Sequence, residues 1–265
     1  MRARAAFEPW RFPGTAAVAV AVILFLYTPI VVLVLLSFSA SDSLATWSGF
    51  SLRWYREVAG NEDLTHAIRN SLIVSASAMV GATLAATGAA LVRGRFRGQR
   101  ATEALIGLPL VVPEIVAGIA ILLFFVLVGI RLGLISVILA HIALVIPVAY
   151  LPMRARLAGI DPAYAEAAAD LYAPPWHVFR RITLPLIWPG IAAGAMLAFI
   201  GSLGDFVVSY FVCGPGATTL PVYVFGMVRM GVTPVVNAVS TLLIAASVIV
   251  FAISQVYSRT VAART

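Results

Sequence analysis

Six apolar stretches of membrane-spanning length divide this chain, at about 15–38, 67–92, 102–128, 133–152, 186–212 and 235–257. A run of ~20 such residues is what an α-helix needs to cross a bilayer, where every backbone polar group must be satisfied within the segment. Six of them fill most of a 265-residue chain. The apolar share of 62% and charged share of 11% belong to the same class. The expected fold is therefore an all-α membrane protein forming one domain, with no room for a soluble catalytic domain. The third and fourth stretches are separated only by GIRLG, Gly129 to Gly133, which suits a tight turn at the membrane surface. The N-terminal apolar run exceeds a signal-peptide core and is read as a retained first span.

Arginine alone supplies the basic charge, and its distribution orients the spans. Alternate segments carry Arg2, Arg4 and Arg11; Arg93, Arg95, Arg97 and Arg100; Arg154, Arg156, Arg180 and Arg181; and Arg259 and Arg264. The opposite face has only Arg53, Arg56, Arg69, Arg131 and Arg229. The positive-inside rule then puts both termini and the long 153–185 loop in the cytoplasm. The net charge of +7 is thus mostly topological. Scattered arginines in short loops do not make a nucleic-acid surface. The single Cys213 excludes an internal disulfide, and no cysteine pair has metal-ligand spacing.

Two outward segments break the apolar pattern. Residues 39–66 are polar and aromatic, as expected of a lid or interfacial helix anchored by Trp47, Trp54 and Tyr55. Residues 213–234 are rich in glycine and proline and read as an irregular loop with room for one short re-entrant helix. Within the spans, Gly81, Ala85 and Ala89, and again Gly190, Gly194 and Ala198, recur at a four-residue spacing that lets helix backbones approach closely.

The most unusual stretch is EAAADLYAPPWHVFRRITLP, Glu166 to Pro185. Asp161-Pro162 is a helix start, AYAEAAADLY supplies strong helix formers, and Ala173-Pro174-Pro175 stops them. WHVFRRITL then opens a second short helix that ends or kinks at Pro185. The product is a helix–turn–helix on the cytoplasmic surface, and ordered loops of this length are usually functional.

Glu166-Ala167-Ala168, followed sixteen residues on by Ile182 and then Leu184-Pro185, resembles the EAA loop in the transmembrane subunits of binding-protein-dependent ABC importers. LPLVVPEIVAGIAILL at Leu108–Leu123, the segment Phe199–Leu243, and FSLRWYREV at Phe50–Val58 are similar to the spermidine/putrescine-type subclass, and to its second, shorter permease subunit. The resemblance implies a six-helix type I importer fold in a bacterial inner membrane. It implies three kinds of partner besides the bilayer: a second permease subunit, two cytoplasmic ATPases that hold the ATP and magnesium, and an external solute-binding protein. It further implies that Glu166, Ala167, Ala168, Asp170, Tyr172, Pro174, Pro175, Trp176, Arg180 and Arg181 meet the ATPase. The family usually carries glycine where this chain has Tyr172, and many polyamine-type members carry an acidic pair where it has Gly204-Asp205, a loss that weakens the case for a multiply charged polyamine and favours a singly charged or zwitterionic amine.

Ionisable groups at membrane depth are costly and are functional candidates by default. Asp205 and Glu114, the latter following a kinking Pro113, are the expected lining of a path for a small cationic or zwitterionic amine, joined by Ser202, Ser209 and Tyr210. His141, mid-span, is read as a packed hydrogen-bonding residue rather than a proton relay. A self-contained secondary transporter would need internal repeats that the chain does not display. A membrane enzyme would need a nucleophile–base set or a phosphate-binding loop, and neither is legible.

Overall fold

The structure, a computed structural model, describes residues 14–43, 46–92, 99–161, 163–231 and 233–262. Helices α1 (Thr15–Leu36), α2 (Arg53–Gly60), α3 (Glu62–Leu91), α4 (Gln99–Val111), α5 (Glu114–Val128) and α6 (Leu134–Ala158) come first. They are followed by α7 (Ala163–Asp170), α8 (Pro175–Val178), a π-helical turn (Phe179–Thr183), α9 (Leu184–Gly204), α10 (Val207–Val212), α11 (Leu220–Met230) and α12 (Pro234–Ala262). Among the described residues there is no strand, only an isolated bridge between Ser39 and Phe50. Among the described residues, four helices are long and apolar enough to cross a membrane, or five if α4 and α5 make one broken span. The sixth apolar stretch of the sequence falls in α12.

By their contacts the residues form two units, Met1–Gly60 with Met227–Ile244, and Asn61–Gly226 with Ala245–Thr265. In the first, α1 has no buried residue, as expected of a helix whose whole circumference is apolar. The polar segment after it is tied down by specific bonds. Trp54 is buried and its indole N–H donates to the Ser39 carbonyl at 2.8 Å, while the Tyr55 hydroxyl lies 2.7 Å from Ser37 Oγ. Two of the three aromatics expected to anchor at a membrane interface are thus packed within the segment itself, and only Trp47 is exposed.

The second unit is built on α3, α6 and α9. Asn61 caps α3 by accepting the Leu64 amide at 2.9 Å, and Glu62 and Asp63 place negative charge in its first turn. Ala78, Ala82, Ala86 and Ala90 form the buried stripe of α3, meeting Ala149, Tyr150 and Met153 of α6 and Ile187, Ile191 and Ala198 of α9. Of the three small residues expected to pack in α3, Ala85 is exposed, Ala89 packs at the edge of this cluster, and a Cβ on Gly81 would come within 2.7 Å of Ile142 of α6. In α9 the expected stripe holds, since Gly190, Gly194 and Ala198 are all buried. A Cβ on Gly194 would collide with the Ala149 carbonyl, and one on Gly190 would come within 2.9 Å of Arg156 Cβ. Small residues there set the approach of α6 and α9. A second cluster joins Val74, Phe125, Val137, Ala140, Val208 and Val212, from α3, α5, α6 and α10.

Four helix boundaries differ from the sequence reading. The third span is not one kinked helix: Ala101–Val111 and Glu114–Val128 meet at 110°. Pro113 has no N–H to continue the ladder, and Val112 before it is disfavoured in helical geometry. The fifth span does not run unbroken to 212, because the backbone becomes extended at Asp205 (φ −69°, ψ 123°) before α10 begins. The Asp side chain competes for the free amides that follow, and Gly204 has low helix propensity. Finally, Pro185 neither ends nor separates the short helix before it. Pro175–Gly204 is a single candidate span that passes through the π turn, where the Leu184 N–H reaches back to the Phe179 carbonyl. This i→i−5 register lets the chain take up a proline that would interrupt an α-ladder. At the other end of the loop, α6 continues to Ala158, so Met153 and the two arginines after it are helical rather than part of a connector.

Tyr172 adopts φ +53°, the one described non-glycine residue at positive φ. The turn after α7 is a Schellman closure, with the Ala173 N–H donating to the Ala168 carbonyl at 3.1 Å. The tyrosine therefore occupies the left-handed position that favours glycine, at a cost of about 1–2 kcal/mol. Tyr172→Gly is expected to raise thermal stability by up to about 1 kcal/mol, part of the relief being offset by glycine's flexibility when unfolded, whereas β-branched Tyr172→Val lowers it. Melting curves of the solubilised chain check this; equal losses in both variants would show that the turn does not depend on φ at this position.

Candidate functional site: a cavity between two broken helices and an exposed helical loop

The sequence predicts two functional places, and they lie in different parts of the second unit. The first is the break between α9 and α10. There the Asp205 carboxylate accepts the Ser209 amide at 2.9 Å and the Val208 amide at 3.5 Å, closing the first turn of α10. His141 enters from α6, with Nδ1 2.7 Å from Ser202 Oγ and Nε2 2.9 Å from Ser209 Oγ and 3.2 Å from Asp205 Oδ2. One imidazole thus touches α9 before the break, the acid within it and α10 after it. His141, Ser202 and Ser209 are buried, and the Asp205 side chain retains 17% exposure.

That exposure opens on a cavity of about 240 Å³. Glu114, Ser202, Asp205 and His141 supply its polar wall, and Pro109, Val145 and other apolar residues the rest. Glu114 stands in the first turn of α5, immediately after the α4–α5 break. Both carboxylates therefore follow an interruption in a span, each at the start of a helix, where the helix dipole favours negative charge. Irregular backbone inside a membrane domain is tolerated where it is buried in protein or lines a cavity, and discontinuous helices build binding sites for charged solutes. The cavity is smaller than those that hold drug-sized ligands, ~300–1,000 Å³, and fits a small solute.

The predicted path residues separate accordingly. Asp205, Glu114 and Ser202 share the cavity. Ser209 sits behind it, fully buried against His141. Tyr210 turns to an aromatic group with Phe206, Phe211 and Phe225 and does not line the cavity. Sequence reasoning recognised His141 as a hydrogen-bonding residue but could not name its partners, which lie 61 and 68 positions away. A larger hollow of about 550 Å³, lined by Asp63, His66, Asn70 and Tyr223 among others, includes none of the predicted path residues.

The second place is the loop that follows α6. Asp161 Oδ1 accepts the Ala163 amide at 2.9 Å and so starts α7, while Pro162 lies outside the described residues. Glu166, Ala167 and Asp170 are exposed on α7, and Ala168 is buried. Tyr172 is 95% exposed at the turn, Pro174 caps α8 and Pro175 opens it. Trp176 is exposed and its ring stacks obliquely on Phe179 at 5.5 Å. Arg180 and Arg181 are exposed on the π turn. The loop thus exposes two acids, Glu166 and Asp170, two arginines and four large side chains, Tyr164, Leu171, Tyr172 and Trp176. This is the composition of a docking surface.

Residues 78–263 match the family of binding-protein-dependent transport system inner membrane components. The chain belongs to that family. Among curated relatives of this transport family, the putrescine transport system permease protein PotI of Escherichia coli K12 is 40% identical over 227 residues, covering 82% of this chain and 81% of PotI. The spermidine/putrescine transport system permease protein PotC of the same strain is 38% identical over 233 residues, covering 87% and 88%. The fold is that of solved ABC importers: a bacterial alginate importer superposes with a TM-score of 0.72 at 16% identity, covering 92% of this chain and 93% of that one. The inward-facing MetNI methionine transporter gives 0.66 at 19% identity, covering 75% and 95%. The chain is therefore a multi-pass inner membrane permease subunit with the type I importer fold.

Proposed function

We propose that this permease forms half of the translocation path of an ATP-driven importer for a small cationic amine, of the putrescine and spermidine class. The observation that carries this reading is the pair of carboxylates, Glu114 and Asp205, on one small cavity at two helix breaks. One acid comes from the start of α5 and the other from the break between α9 and α10, and the two share one cavity. A carboxylate in a low-dielectric cavity attracts an ammonium group strongly, and the partial exposure of Asp205 permits release. The names of PotI and PotC support the same substrate class.

The remaining components follow from the family. A second, homologous permease completes the path, and a solute-binding protein delivers the amine on the outer face. Two ATPases receive α7 and the Arg180-Arg181 turn on the cytoplasmic face, where the arginine distribution also places both termini. They hold the nucleotide and magnesium, and this chain contributes no catalytic group. Closure of the ATPase pair moves the docked loop, and through Pro175–Gly204 the movement reaches the break at Asp205 along a single helix.

The test is uptake by the complete complex in proteoliposomes. ATP-dependent, saturable accumulation of labelled putrescine, blocked by excess spermidine, is the expected result. Accumulation of a neutral solute with no response to either amine would replace this reading.

A further inference from the structure

We propose that His141 is a positioning residue, a neutral imidazole protonated at Nε2 that fixes the Asp205 carboxylate at the helix break without cancelling its charge. The proposal rests on the amine-path reading above and extends it to a residue with no assigned role. A carboxylate only accepts hydrogen bonds, and both oxygens of Asp205 already accept backbone amides of α10. The His141 Nε2 lies 3.2 Å from Oδ2, so a bare nitrogen there would set two acceptors against each other in a buried site. Nε2 therefore carries the proton, shared between Asp205 Oδ2 and Ser209 Oγ at 2.9 Å.

That leaves Nδ1, 2.7 Å from Ser202 Oγ. A serine hydroxyl can rotate to donate, so Nδ1 needs no proton, and every bond is satisfied by the uncharged ring. An imidazolium would satisfy the same contacts but would neutralise Asp205, leaving the cavity one carboxylate short for a cation. The neutral ring orients the acid in the way that an outer hydrogen bond orients a metal ligand or a catalytic base. Because the ring also bonds Ser202 and Ser209, it holds α9 and α10 in register across the unwound residues.

The chain has three histidines, which makes the ring states directly readable. In the assembled complex with ring-15N histidine in this subunit only, at neutral pH, the His141 signal should show the neutral, Nε2-protonated pattern. It should disappear in His141→Gln and shift in Asp205→Asn. An imidazolium pattern, a proton on Nδ1, or a signal indifferent to Asp205→Asn would overturn the proposal. The transport arm uses labelled putrescine. His141→Leu should reduce uptake about tenfold, yet cause no further loss when Asp205 is already Asn, since a residue acting through Asp205 has nothing left to act on. Losses that multiply in the double variant would refute it. His141→Gln, whose amide can occupy the place of Nε2–H, should retain uptake within about threefold, and His141→Asn, which reaches only the place of Nδ1, should not. This pair remains informative if His141→Leu fails to assemble: equal loss in Gln and Asn would also count against the proposal. A wild-type complex that ignores putrescine would dispose of the substrate reading alone, leaving the nitrogen signals to judge His141.

Discussion

Asp205→Asn is expected to lower amine uptake by about 10- to 100-fold while the subunit still assembles with its partners. A hydrogen bond to a charged group is worth about 1.5–3 kcal/mol, and each 1.4 kcal/mol is a factor of ten. The asparagine amide oxygen can still accept the Ser209 or Val208 amide, so α10 remains capped and the change falls on charge. Asp205→Ala removes the cap as well, and should add about 1 kcal/mol of destabilisation, visible in the melting of the solubilised subunit. Measuring uptake and assembly side by side separates the two. Unchanged transport kinetics in Asp205→Asn would remove the carboxylate from the path and leave it as a cap for α10.

Glu166→Lys is expected to abolish the coupling between ATP hydrolysis and uptake, by at least an order of magnitude in transported amine per ATP. Glu166 is exposed on α7 and contributes nothing visible to the packing of the second unit, so the variant should insert and fold normally. Against a basic partner groove, reversing its charge sets like charges together at a docking surface, which costs several kcal/mol. ATP hydrolysis would fall to a rate that no longer responds to substrate. Reversal of Arg180 with Arg181 should act in the same direction if these residues also face the ATPase. Reconstituted complexes in which Glu166→Lys retains normal substrate-stimulated hydrolysis and uptake would assign Glu166 to stabilising α7 alone.

Much of the loop on which that prediction depends is legible from local chemistry. Asp161 capping, the alanine-rich turns of α7 and the stop at Pro174-Pro175 all act within a few residues of themselves, and the helix forms where those rules put it. The turn at Tyr172 is instructive because local preference loses there. Glycine is the residue suited to that conformation, yet the Schellman closure and the following prolines hold tyrosine at positive φ, and its side chain is left exposed beside Trp176. At Tyr172 the chain takes the left-handed turn that suits glycine and presents an aromatic side chain at its surface.

The cavity is a different case. Glu114 and Asp205 stand out as acids in apolar stretches, because the cost of charge in a membrane is a property of each residue alone. Their sharing of one cavity is not of that kind. It depends on the α4–α5 bend, on the break at Asp205, and on α6 bringing His141 against Ser202 and Ser209. The same long-range geometry keeps Tyr210 out of the cavity lining and decides which alanines of α3 pack. Sequence by itself determined the apolar spans, the helical loop and the family, since these rest on composition, spacing and short motifs. Which polar groups meet is decided by the tertiary structure, because hydrogen-bond partners 60 or more positions apart leave no periodic trace in the chain.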